Sequence, residues 1–132
     1  MKQLLKLVSI LTVTLFFVAC EDSAKSQGFS KSGKAGSLDI TYSSAKPLVV
    51  GDNRIDVKIT NQGKTVKGAK VEFKVFMPEM PGMPYMEDTK TLKESGDSYS
   101  GNINFSMGGT WQVRIFIEKD GKKYKHSSSV IL

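Results

Sequence analysis

From residue 37 onward, apolar and polar side chains alternate in short runs separated by turn residues. Leu38, Ile40 and Tyr42 alternate with Asp39 and Thr41, which predicts a strand over residues 37–44. Ile55, Val57 and Ile59 alternate with Arg54, Asp56, Lys58 and Thr60 after a Gly51-Asp52-Asn53 turn, and Asn61 to Lys64 turns the chain again. Val71, Phe73, Val75 and Met77 make a third run, which Pro78 ends. A short edge strand is expected over 88–94, before Ser95-Gly96-Asp97. Tyr99, Gly101, Ile103 and Phe105 alternate next, Gly108-Gly109 breaks the run, and Trp111, Val113, Ile115 and Ile117 resume it. Asp120-Gly121 then joins this strand to 122–132 in a hairpin, because both central residues of a type I′ turn need φ above zero. Period two with one apolar face marks half-buried strands. About seven of them, with no helical window after the N-terminal segment, predict an all-β, immunoglobulin-like antiparallel β-sandwich with Trp111 in its core.

One stretch breaks the pattern. Met77, Met80, Met83 and Met86 are spaced three apart, with Pro78, Pro81 and Pro84 between them. These are four of the chain's six methionines and three of its four prolines. Proline removes a backbone donor and pushes the preceding residue into the extended region, so polyproline II or linked open turns are expected, projecting from one end of the sandwich. Three residues per turn would set the four thioethers along one side, about 9 Å apart. Thioethers are soft and suit Cu(I); methionine also fills gaps and builds adaptable apolar surfaces. Two sulfurs on one Cu(I) must approach within about 4 Å, given a metal–sulfur bond of roughly 2.3 Å. Convergent side chains, a bend at Gly82, or ligands from elsewhere would have to close that gap. Met107, beside Gly108-Gly109, qualifies if that turn lies at the same end as the methionines. His126, the sole histidine, is a surface or structural residue or else a nitrogen ligand beside them.

The N-terminus adds a location. Lys2 and Lys6 precede an apolar run from Leu7 to Val18, too short for a comfortable span and typical of an export signal over residues 1–19. Phe17-Val18-Ala19-Cys20 resembles the lipobox of bacterial lipoproteins, which implies lipidation at Cys20, the sole cysteine. No internal disulfide or multi-cysteine metal site is then available. Residues 20–36 are mostly Ser, Lys and Gly and read as a flexible tether, with one domain over 37–132. Net charge is +6, and +4 once residues 1–19 and their two lysines are removed. The basic residues are scattered without a block, which argues against nucleic acid and for a solvated surface near a membrane.

Catalytic groups are sparse. Ser127, Ser128 and Ser129 share a strand with His126 and cannot form a triad by adjacency. Glu21-Asp22 and Glu87-Asp88 are neighbours rather than a pair set across a cleft. No glycine-rich phosphate loop is present, and an enzyme is not expected.

The run Val71-Glu72-Phe73-Lys74-Val75-Phe76-Met77-Pro78-Glu79-Met80-Pro81-Gly82-Met83 resembles the YtkA-like and FixH-like group of small exported or membrane-anchored β domains. With a lipoprotein signal in front, the chain is similar in particular to copper-resistance determinant lipoproteins of the CrdA type. That resemblance implies a periplasmic role in copper tolerance, by binding or handing over Cu(I), and leaves the ligands open. From the residues themselves, the first expectation is a monomeric lipoprotein that presents Cu(I) or Ag(I) on Met77, Met80, Met83 and Met86, with Met107 or His126 as further candidates. Its partner would be a heavy-metal efflux system. An alternative is a metal-free module that docks its Met-Pro segment on an efflux component or on a respiratory oxidase under assembly.

Overall fold

The computed structural model describes residues 28–132. The expected signal segment, the lipidation site Cys20 and the first part of the tether lie outside the described residues. Nine strands follow in order: β1 (Phe29–Ala35), β2 (Leu38–Ser44), β3 (Gly51–Asn61), β4 (Lys64–Thr65), β5 (Lys70–Met77), β6 (Met86–Ser95), β7 (Ser98–Phe105), β8 (Thr110–Lys119) and β9 (Lys122–Ile131). All pair antiparallel in the order β1-β2-β3-β7-β6-β5-β8-β9, with the short β4 folded back on the end of β3.

This is one curled sheet, a nearly closed barrel, and not the two-sheet immunoglobulin-like sandwich that the alternation predicted. Strand β6 makes the difference. Its first part, from Met86 to Leu92, pairs with β5, and its last three residues, Lys93 to Ser95, pair with β7. The strand expected to be a short edge therefore crosses between the two halves and joins them into one sheet. Only Leu92 of β6 is buried, so the strand carries almost no alternation from which its length could be read.

The second correction concerns the other edge. Residues 29–35, inside the stretch read as tether, form β1 and pair with β2 from Phe29↔Ser44 to Ala35↔Leu38. Three side-chain bonds then draw β1 and β2 against β9 without a backbone ladder. Lys31 Nζ donates to the Ser129 carbonyl, His126 Nδ1 lies 2.9 Å from the Lys34 carbonyl, and Tyr42 and Ser128 share a 2.6 Å hydroxyl bond. Small residues make this seam possible. Gly33 leaves the space that the His126 imidazole fills, and a Cβ there would overlap Cε1 and Nδ1 of the ring.

Inside lie the residues the alternation identified: Leu38, Ile40 and Tyr42; Ile55, Val57 and Ile59; Val71, Phe73 and Val75; Trp111, Val113, Ile115 and Ile117. Tyr42 packs edge-on to Phe73 with ring centres 5.6 Å apart, and Phe105 meets Trp111 at 5.4 Å. Such pairs add to the burial of their area.

Two buried phenols give the barrel an alkaline limit. Burial raises the pKa of Tyr42, against a smaller lowering by Ser128. Burial also raises that of Tyr99, whose hydroxyl donates to the Val66 carbonyl and accepts from the Ala69 amide. A raised folded value means that the fold keeps a proton that the unfolded chain gives up. Stability is therefore full below the free phenol's 10.0 and falls as pH climbs past it. Melting temperatures measured from neutral to strongly alkaline pH should decline less steeply in Tyr42→Phe than in the parent. Equal slopes would show that this phenol does not contribute.

Candidate functional site: a methionine-lined hairpin

The Met-Pro segment is not a straight polyproline ridge. It is the tip of the β5–β6 hairpin and keeps the strands' register to its end. Met77 pairs with Met86, and beyond them Met80 pairs with Met83. The Met80 amide donates to the Met83 carbonyl at 3.1 Å and the Met83 amide to the Met80 carbonyl at 2.8 Å. Between them Pro81 and Gly82 take the two central positions of the turn, and Gly82 has φ +82°. A type II turn wants proline first and glycine second for that reason. Pro78 and Pro84 lack amide protons, so the ladder is interrupted between the two methionine rungs without the register being lost.

Three-residue spacing thus becomes opposition. Directly opposed residues have Cβ atoms about 4.5–5.5 Å apart, where a straight ridge would hold neighbouring thioethers roughly 9 Å apart. The flexible methionine arms have only that smaller gap to close. Exposure grades along the hairpin: Met77 is 3% exposed, Met86 and Met83 are half-buried against the core, and Met80 at the tip is 47% exposed.

The loop between β7 and β8 comes to the same end of the barrel. Ser106 Oγ donates to Met86 Sδ at 3.2 Å, and the missing Cβ of Gly109 leaves the space beside Met77 Cε. Met107 lies between these two contacts in sequence, is half-buried, and packs against the core. Its carbonyl accepts the indole N–H of Trp111 at 3.0 Å. Trp111 is core, 1% exposed, and holds this loop down; its ring is not offered to solvent.

His126 stands elsewhere. It pairs with Ile115, four residues along β9 from Val130, the partner of Trp111, which is roughly 13 Å at strand rise. It is 7% exposed, its Nδ1 faces the Lys34 carbonyl, and its Nε2 is buried without a hydrogen-bond partner. The structure groups Met77, Met80, Met83, Met86 and Met107 at one end and leaves the histidine in the seam.

Cation–aromatic packing braces the outside of the hairpin. Phe76 has Arg114 Cζ 5.1 Å and Lys74 Nζ 5.5 Å from its ring centre, and Tyr85 lies 6.1 Å away. The Tyr85 hydroxyl donates to Glu87 at 2.8 Å, and Lys74 pairs with the same carboxylate at 3.1 Å. The Tyr85 bond and then Lys74 lower the pKa of Glu87, which in turn raises that of Lys74. Ser106, Gly109 and this brace escaped the sequence reading, because each depends on cross-strand register rather than on a local motif.

Among the described residues, no group of three or more His, Cys, Asp or Glu side chains gathers to hold a metal ion. Thioethers are the donors that remain to be weighed. The methionines do not line the larger concavities, one of about 570 Å³ at the opposite end among Lys64, Lys67, Lys119 and Lys122, another of about 630 Å³ beside the β2–β3 loop. Neither the curated proteins nor the solved structures compared with the chain yield a match. The model of the YtkA-like family matches residues 33–116, from within β1 into β8 and through the whole Met-Pro hairpin, and the chain belongs to that family.

Proposed function

We propose that the chain is an exported, periplasmic lipoprotein, anchored through Cys20, that holds Cu(I) or Ag(I) on the thioethers of its hairpin and hands the ion to an efflux partner, supporting copper resistance. The observation that carries this reading is the opposition of Met77 to Met86 and of Met80 to Met83 in one hairpin register. Neutral, polarizable donors in opposed pairs fit a soft monovalent ion and suit Zn²⁺, Mg²⁺ or Ca²⁺ poorly. The gradient from exposed Met80 to sealed Met77 suits an ion taken up at the tip and passed on, with Met107 alongside. His126 has no part in this reading.

The test is Cu(I) titration of the full chain under reducing conditions, comparing the parent with a Met80→Leu, Met83→Leu, Met86→Leu variant. Leucine keeps volume and apolarity, so the fold should survive. Affinity is expected to fall by at least about tenfold, or 1.4 kcal/mol, while His126→Asn leaves it unchanged. Unchanged affinity in the triple variant overturns the proposal. The exposed Met80 and Tyr85, both on a braced tip, favour a second reading as a docking module. In that case the leucine variant keeps copper tolerance in cells, and disrupting the Pro81-Gly82 turn abolishes it.

A further inference from the structure

Six large apolar side chains among the described residues are exposed: Val49, Val50, Met80, Tyr85, Phe116 and Ile131. All but Phe116 stand at the end of the barrel that carries the Met-Pro hairpin. Register places them there. Gly51 at the start of β3 pairs with Phe105 at the end of β7, Met77 with Met86, and Ile131 with Thr110. The opposite end is rimmed instead by Lys64, Lys67, Lys119 and Lys122.

The exposed valines are held rigidly. Asn53, 6% exposed, accepts from the Val49 amide at 2.9 Å and donates to the carbonyls of Val49 and Gly51 at 2.8 and 2.9 Å. A loop clamped by three bonds while presenting Val49 and Val50 to water is preset for apolar contact, because little ordering entropy remains to be lost. The hairpin tip is likewise fixed by its two-way Met80–Met83 bonding.

The chain also enters at this end. Gly28 lies against the backbone of Ser44 and Ala45, beside the clamped loop. Only seven residues separate it from Cys20, eight Cα steps with a reach of at most about 29 Å, and the apolar run 7–18 lies just upstream. A membrane anchor at either place therefore keeps this rim, and not the lysine-rich one, next to the bilayer, at high effective concentration.

We propose that this rim rests on the lipid bilayer, with Val49, Val50 and Ile131 dipping into the interface and Tyr85 at headgroup level. The inference rests on the reading of residues 1–20 as a membrane-anchoring segment. The apolar side chains stand on three separate segments, the β2–β3 loop, the hairpin tip and the end of β9, a spread that a planar fluid surface accepts more readily than one concave partner site. Aromatic residues with a polar tip favour the interfacial zone. The contact also fixes orientation: the methionine hairpin faces the membrane, where an embedded acceptor would stand.

The test uses the full chain in phosphatidylcholine liposomes with brominated acyl chains, comparing Val50→Trp with Lys122→Trp against the shared background of buried Trp111. Interfacial burial of about 5–10 Å brings a residue into bromine range, so Val50→Trp should be quenched about twofold and Lys122→Trp hardly at all. Flotation with the liposomes but no quenching at Val50→Trp leaves the anchor intact and overturns the rim contact. Equal quenching at both positions overturns the orientation. Failure to float overturns the anchoring reading and this inference with it.

Discussion

Trp111→Ala should destabilise the domain by about 3–5 kcal/mol, the range for removing a large aromatic from a packed core. The indole is 1% exposed and meets Phe105 edge-on at 5.4 Å, so the vacated space opens inside the packed core. A second loss comes with it. The indole N–H that holds the Met107 carbonyl at 3.0 Å disappears, and the Ser106–Gly109 loop loses its tie to the core. Trp111→Phe separates the two effects. It keeps most of the apolar volume and gives up the bond, for about 1 kcal/mol, with a further cost if the carbonyl stays buried. Denaturant unfolding of both variants gives the comparison. An alanine variant within 1 kcal/mol of the parent would mean that the ring is not the keystone described here.

The other large effect is expected in the seam and has an unusual sign. Replacing a strand glycine with alanine ordinarily stabilises, by about 0.5–1 kcal/mol, since glycine loses more backbone freedom on folding. Gly33→Ala should instead destabilise by about 1–3 kcal/mol, the cost of forcing atoms into filled space, because its new Cβ overlaps the His126 ring. Adding His126→Ala removes the obstacle, so the double variant should be more stable than the sum of the single effects predicts, by at least about 0.5 kcal/mol. A double-mutant cycle measured by thermal or urea unfolding tests this. Strict additivity would show that Gly33 and His126 do not meet.

Five strands were legible because each buries one face and therefore alternates, β2, β3, β5, β7 and β8, and β9 was legible from the Asp120-Gly121 turn before it. Of the two strands that decide between sandwich and barrel, β6 was expected over 88–94 but only as a short edge, and β1 was read as tether. Strand β6 buries only Leu92, and β1 buries Ala35 with Phe29 and Gly33 half-covered, since each packs mainly through backbone pairing. Ser, Lys and Gly in β1 look like a tether when read one residue at a time; they are the small and long side chains that the seam needs. At the candidate site the residue types were visible and the geometry was not. Three prolines argued for an extended ridge, yet Pro81-Gly82 is also a type II turn signal, and the pairing of strands on either side decided in its favour. The conditional placing of Met107 is answered by the loop's contacts with Met86 and Met77. His126 could not be placed from sequence, because its surroundings come from a strand some ninety residues earlier in the chain.

The meeting of β1 with β9 also sets an order of events. Strand β1 must wait for β9 before the cylinder shuts, so a nascent chain exposes its inner wall until β9 has been made. Early hairpins can form as they emerge, but a sealed interior cannot, and the exposed inner wall stays open to aggregation until the last pairing is made.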